Sequence, residues 1–200
     1  MAGVLLMCFA MLNAALPQNP VPTFGTTVVG SSGLRGNIYD LKPGTDHLPN
    51  FKKLKPLGTI YTTSLNIPPQ PFTLGFPGVT QRFEWFAIDY SGRIWIDSPG
   101  AYKFALTSDD GSKFYIDHRT IIDNDGIHPP ETVIKTVTLK TGVHEIRVSY
   151  FQGPRYQVAL MLYVSRPGDT TFRAFDTNDF KPPPDADLTD LERNSAHAKH

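Results

Sequence analysis

The sequence is nearly free of cysteine. Its single thiol, Cys8, lies inside an apolar run from Met1 to Ala15. Disulfides, thiol nucleophiles and zinc–thiolate sites all require cysteine, so the remaining chain excludes them. The apolar run is also too short to span a bilayer, and it ends in small residues. We therefore expect residues 1–16 to be a signal peptide or apolar leader, the protein to be secreted to an extracellular, periplasmic or cell-envelope location, and no stable membrane span.

The chain has no excess of either charge, because 19 Lys and Arg residues balance 19 Asp and Glu residues. Neither a nucleic acid nor an anionic membrane surface would be attracted by the whole molecule. Lys52, Lys53 and Lys55 form a basic cluster that could contact a phosphate or another polyanion. No aromatic or glycine-rich cradle accompanies these lysines, so a solvated surface loop is the favoured interpretation. We expect no nucleic-acid partner.

No stretch of ten or more residues keeps the apolar spacing of a helix, whereas many short segments alternate between apolar and polar residues. The 18 prolines and 16 glycines suit short strands joined by turns. The pattern predicts an all-β fold, and we read Asp89 to Gly92 as a turn that closes a hairpin. The side chains predicted to be mostly buried are Trp85, Trp95, Phe104, Leu106, Phe114, Ile116, Ile146, Val148, Leu160 and Leu162.

The composition divides the chain into one domain with flexible extensions at both ends. After the leader, residues 17–32 are rich in Pro, Gly, Ser and Thr, as in a linker. The domain is expected over residues 33–166. Residues 167–200 form a C-terminal extension that we expect to be largely disordered from about residue 181, where three prolines precede a polar remainder.

An acidic segment, Ser108-Asp109-Asp110-Gly111, stands between two alternating stretches. Adjacent carboxylates repel each other, and Gly111 alone could make a bend, so a bound cation would explain the pair. Turn chemistry is the alternative. A second acidic run, Asp123 to Gly126, resembles the middle of an EF-hand loop but lacks carboxylates at the first and last ligand positions, so we interpret it as side chains capping their own turn.

The acidic segment and several later motifs resemble the PA14 domain, a β-sandwich module of secreted toxins, adhesins and glycosidases. These motifs include Ser-Asp-Asp-Gly-Ser from Ser108, Ile-Ile-Asp-Asn from Ile121, and Lys-Thr-Gly-Val-His-Glu-Ile-Arg-Val-Ser-Tyr from Lys140. They occur in the family's order, and the resemblance covers Gly33 to Ser165. It implies a single antiparallel β-sandwich.

The resemblance also implies a ligand site. In the sugar-binding branch of the family, two aspartates joined by a cis peptide hold one Ca²⁺, and a later loop supplies an Asn. Asp109 and Asp110 match the pair, but Gln152 stands where we align the Asn. Gln carries the same amide oxygen on a longer stem, so the expected metal ligands are Asp109, Asp110 and Gln152. Gln152, Arg155, Tyr156 and His128 are the expected ligand-binding residues.

Three functions follow from these observations. The favoured one is a secreted, non-catalytic binding module for carbohydrate or a cell-surface polymer. The alternative is a structural or assembly domain of an envelope or extracellular protein, whose partner would be another protein. A glycosidase is least favoured, because Asp109 and Asp110 are adjacent and cannot flank a scissile bond, and Glu84 and Asp89 have structural explanations. Trp85 and Trp95 could stack on sugars, but their alternating positions favour core packing.

Overall fold

The computed structural model describes residues 33–79 and 84–183, and it confirms the predicted all-β sandwich. Two antiparallel sheets enclose one apolar core, and the only helices in the described residues are short 3₁₀ turns. The strands are β1 (Leu34–Asp40), β2 (Gly58–Thr62), β3 (Asn66–Pro71), β4 (Phe86–Ile96), β5 (Gly100–Asp109), β6 (Ser112–Ile116), β7 (Arg119–Asn124), β8 (Glu131–Leu139), β9 (Gly142–Gln152), β10 (Gln157–Ser165) and β11 (Arg173–Ala174).

One sheet has six strands in the order β2-β1-β4-β9-β6-β7, and the other has five strands with β10 and β5 at its centre. The five-stranded sheet has the order β11-β10-β5-β8, and β3 pairs with β10 beside it. β3 contains three prolines, which lack the N–H group that a neighbouring strand would need. Among the described residues, β3 pairs with β10 alone. No helix in the described residues is long and apolar enough to cross a membrane.

The core is built from alternate residues of both sheets, as the sequence pattern predicts. The rings of Phe104 on β5 and Phe114 on β6 lie 4.9 Å apart and join the two sheets. Eight of the ten side chains predicted to be buried are fully enclosed, all except the two tryptophans. Burying such side chains is the main stabilising contribution to a fold of this kind.

The prediction that Trp85 and Trp95 are core residues is wrong, because both are only half-buried. The core-facing positions of β4 are the alternate residues beginning at Phe86, so Trp95 lies on the outer face. Trp85 precedes the strand with a φ of 58° and packs on a small apolar cluster outside the main core. The alternating pattern predicts two faces for β4, but the face that carries Trp95 is the outer one.

The predicted hairpin at Asp89 to Gly92 is also wrong, because these residues lie within the continuous strand β4. Gly92 serves close packing instead of a turn. A methyl group at Gly92 would lie 2.9 Å from Leu34 Cδ2 and 3.0 Å from the Gly33 carbonyl oxygen. Contacts this short would force the start of β1 to shift, so glycine suits this position.

The acidic segment lies between β5 and β6, which belong to different sheets. The chain crosses there from the five-stranded to the six-stranded sheet. At Gly111 a methyl group would lie 2.3 Å from Phe151 Cε1 and 2.7 Å from the Gly126 nitrogen. The crossing is therefore tightly packed, and Gly111 leaves room for its neighbours.

The chain after β10 returns to the domain. Phe175 and Phe180 are buried and their rings stack 5.2 Å apart, so residues of the expected C-terminal extension contribute to the core. The leader, the linker and residues 184–200 lie outside the described residues.

Candidate functional site

The acidic pair lies at one end of the sandwich, where β5 ends and the chain crosses to β6. The Asp109–Asp110 peptide bond is cis, as the resemblance implied. Both residues are buried, with only 6% of Asp109 and 4% of Asp110 exposed. Two neighbouring carboxylates thus share a site with little access to water, which disfavours their charged forms.

Asp110 is held by backbone donors from two loops. The Gly153 N–H donates to Asp110 Oδ2 at 2.8 Å, and the backbone N–H of His128 donates to the same carboxylate. A side chain at Gly153 would lie 3.2 Å from this oxygen, so glycine allows the backbone to approach. Burial raises the pKa of Asp110, and these two N–H groups oppose the rise by favouring the charged form.

Asp109 has a different environment. Within the described part of the chain, no hydrogen-bond donor reaches its carboxylate, although its carbonyl oxygen lies 2.7 Å from the Tyr150 hydroxyl. Burial, and next the charge of Asp110, raise the pKa of Asp109 to about 6, while His128 opposes the rise. The charge of His128 favours the ionised form of Asp109 but offsets only part of the effect of burial and of Asp110.

Gln152 lies beside the pair and is fully buried. Its amide nitrogen lies 3.2 Å from Asp110 Oδ2 and 3.1 Å from the carbonyl oxygens of both Pro154 and Gln157. Its amide oxygen lies 2.6 Å from the Tyr150 hydroxyl. Gln152 thus contacts Asp110 through its nitrogen, and its amide oxygen shares the single Tyr150 hydroxyl proton with the Asp109 carbonyl oxygen.

The other expected ligand residues differ in their exposure to solvent. The half-buried His128 has its ring nitrogens 2.9 Å from the Pro129 carbonyl oxygen and 3.0 Å from that of Asn124. Burial lowers its pKa, but these hydrogen bonds outweigh burial and the net pKa is raised. Arg155 and Tyr156 are exposed in the loop before β10, with Tyr156 84% exposed.

A buried polar network next to the pair was not identified from the sequence. Ser108 Oγ lies 2.6 Å from Ser112 Oγ, and the Asn124 amide donates to Ser108 Oγ at 3.0 Å. Ser108 and Ser112 flank the crossing, so the network fixes the end of β5 against the start of β6 and β7. Both serines were visible in the motif, but only the crossing between sheets brings them together with Asn124.

The second acidic run is structural, as interpreted. Asp123 Oδ1 accepts from the Asp125 N–H at 3.2 Å, and Asp125 Oδ1 accepts from the N–H groups of Gly126 at 3.0 Å and Leu48 at 2.8 Å. Lys113 Nζ lies 3.1 Å from Asp123 and 3.2 Å from Asp125. These carboxylates cap their own turn and fasten the loop that begins near Leu48.

Across the described residues, no group of three or more His, Cys, Asp or Glu side chains is arranged to hold a metal ion. The acidic pair supplies two carboxylates. A hard cation there would need further oxygen ligands from backbone carbonyls, water or a bound molecule.

Comparisons with known proteins agree on the family. A family model of the PA14 domain matches residues 75–177. The structure is similar to the PA14 domain of the MpAFP antifreeze protein, with a TM-score of 0.60 and 19% identity over 74% of this chain and 88% of that chain. It is similar to a PA14 sugar-binding domain from an RTX adhesin, with a TM-score of 0.60 and 16% identity over 74% and 97% of the two chains.

A third similar structure is the A domain of epithelial adhesin 9 from Candida glabrata, in complex with Galβ1-3GlcNAc. Its TM-score is 0.55, with 17% identity over 75% of this chain and 88% of that chain. Among curated protein sequences, none matches. Because the family model matches more than half of the 200 residues and the fold agrees with it, this chain belongs to the PA14 domain family.

Proposed function

We propose that this protein is a secreted, non-catalytic binding module that recognises a glycan or cell-surface polymer through Ca²⁺ held by Asp109 and Asp110. The observation that carries the proposal is Asp109, a buried residue whose carboxylate lies next to a second carboxylate and has no hydrogen-bond donor in the described part of the chain. A divalent cation would neutralise both charges and complete this environment.

The chemistry of the surroundings fits calcium. Ca²⁺ takes six to eight oxygen ligands, and two carboxylates supply at most four of them. The remainder would come from backbone carbonyls, water and vicinal hydroxyls of a sugar. Gln152 is the third proposed metal ligand: its amide nitrogen contacts Asp110, and its amide oxygen, 2.6 Å from the Tyr150 hydroxyl, has a second lone pair for a cation.

Two loops next to the pair would form the glycan surface. Gly153 and His128 contact Asp110 through their backbones, so the loops at 152–156 and 125–131 are fixed relative to the metal position. Tyr156 is highly exposed and offers an apolar ring face, and Arg155 offers hydrogen-bond donors. His128 would contact the ligand from the opposite loop.

The comparisons support the class of function. Two of the similar structures are adhesin domains, one described as sugar-binding and one in complex with a galactoside. Adhesins act outside the cell, which agrees with the apolar leader expected over residues 1–16. The alternative is an assembly domain that packs on another extracellular protein; its binding would not require calcium.

A glycan array probed with the full chain tests this function. We expect binding to a defined group of glycans in millimolar Ca²⁺ and its loss in chelator. The Asp109→Asn, Asp110→Asn double variant should lose binding even in calcium, whereas Asp46→Asn, which removes an exposed carboxylate, should bind normally. Glycan binding that persists in chelator would contradict the role of calcium. No glycan binding, together with calcium-independent capture of an extracellular protein, would favour the assembly domain.

A further inference from the structure

A groove of about 470 Å³ runs along the outer face of the six-stranded sheet, separated by that sheet from the core. Its floor is formed by β4, β6 and β9. The 3₁₀ turn Phe51–Lys53 lies at one side, where the Phe51 ring contacts the Arg147 guanidinium. The lining residues are Ser91, Gly92, Arg93, Tyr115, His118, Glu145, Ile146 and Arg147.

Two arginines are placed diagonally across the groove. Ser91 pairs with Arg147 and Arg93 pairs with Glu145 in the register of β4 and β9, so Arg93 and Arg147 are diagonal neighbours on one face. Such neighbours lie about 7–8 Å apart along the sheet, within reach of long side chains. Two guanidinium groups can therefore approach the same oxyanion, with Ser91 and Glu145 at the other two corners of this register.

Arg147 is held in position before any ligand arrives. Its Nε donates to Asp89 Oδ1 at 2.7 Å, and its guanidinium carbon lies 5.6 Å from the ring centre of Phe51 and 4.9 Å from that of Tyr115. The bond to Asp89 uses Nε, which leaves the terminal amino groups to bind a ligand. A fixed guanidinium loses less conformational entropy when it binds.

The remaining charges leave an excess of donors in the groove. Glu145, its one lining carboxylate, lies 3.2 Å from His118 Nε2, and Arg93 forms no ion pair with any residue that the structure describes. Lys52 and Lys53 are exposed next to Phe51. Arg93 and the lysines therefore supply positive charge on either side of Arg147, whose own charge is paired with Asp89.

We propose that this groove binds the carboxylate or sulfate groups of an acidic polysaccharide. Guanidinium forks bind such oxyanions with paired hydrogen bonds, and the lysines provide a second point of contact for a repeating charge. A nucleic acid is disfavoured because Arg147 lies over the Tyr115 and Phe51 rings that could otherwise stack on bases. The groove lies apart from the acidic pair, so its binding does not depend on calcium or on the function proposed above.

Biolayer interferometry in chelator tests the proposal, with immobilised polygalacturonate, dextran sulfate, neutral dextran and a single-stranded oligonucleotide. We expect binding to one or both acidic polysaccharides, weakened by salt. Arg93→Gln should reduce the affinity roughly tenfold or more, and Glu145→Gln should increase it. Lys103→Gln removes an exposed charge from the other sheet and should leave the affinity within about twofold of the wild type.

A preference between the two acidic polysaccharides would identify the group that the arginines bind. Equal binding to neutral dextran, equal or tighter binding to the oligonucleotide, or no binding to either acidic polysaccharide would overturn the proposal. So would equal losses in Arg93→Gln and Lys103→Gln, because a general charge effect would then account for the binding. Circular dichroism of each variant verifies that the fold persists.

Discussion

The Asp109 carboxyl makes the stability of the fold depend on pH. Its pKa in the folded protein is about 6, above the 3.8 of an ordinary aspartate, because burial and Asp110 disfavour the charged form. The folded state therefore binds more protons than the unfolded state between these two values. The free energy of unfolding must fall as the pH rises through this window.

We predict that, in chelator, the wild type loses roughly 1–3 kcal/mol of stability relative to Asp109→Asn between pH 4 and pH 7. The asparagine has no charge to bury, so its stability lacks this dependence. Urea denaturation at several pH values measures the difference. Asp46→Asn, at an exposed position, should follow the wild type; a constant difference between wild type and Asp109→Asn would contradict the prediction.

The sequence predicts which residue types form the site, but not the contacts that their side chains make. The paired aspartates are visible in the sequence, and so is the amide of Gln152. The direction in which that amide points is not visible, because it depends on Tyr150, Pro154 and Gln157, which the folded chain brings around it. A ligand role and a positioning role require the same residue type, and only the contacts distinguish them.

At the scale of elements, the crossing from β5 to β6 joins the two sheets and holds the acidic pair. We predict that Gly111→Ala destabilises the protein by about 2 kcal/mol or more, because the added methyl group would overlap Phe151 and the Gly126 backbone. Gly58→Ala is the matched control, since a methyl group there meets nothing within 4 Å. Equal midpoints of urea unfolding for the two variants would contradict this account.

The segment after β10 is a second element whose role can be measured. We predict that Phe175→Ala costs about 3 kcal/mol or more, because Phe175 is fully buried. Phe172→Ala removes a ring from the same segment that is 39% exposed, and it should cost under about 1 kcal/mol. A small effect of Phe175→Ala in thermal and urea unfolding would show that this segment contributes little to the core.

Alternation predicted most strands but not the sheet to which each belongs. β8 and β9 follow each other along the chain, yet they lie in different sheets. A turn residue such as Gly142 can connect strands within a sheet or between sheets, so local sequence does not decide. The turn prediction at Gly92 is wrong because glycine favours turns but also allows close packing, and here it allows two strands to pack closely.

At the scale of the whole molecule, the resemblance to the PA14 domain supplied what periodicity could not. It implied the sandwich and the cis peptide between the aspartates, and both are present. The net neutral chain gave no reason to expect local charge. The groove with Arg93 and Arg147 arises because the register of two strands places separate arginines side by side.

The most direct measurement is an isothermal titration of the full chain with Ca²⁺. We predict one bound ion per wild-type chain, a higher melting temperature in calcium, and the loss of both effects in the Asp109→Asn, Asp110→Asn double variant with its circular dichroism unchanged. Asp123→Asn removes an exposed carboxylate from the structural turn and should retain calcium binding. Absence of calcium binding to the wild type at millimolar concentration, or unchanged binding in the double variant, would contradict the account.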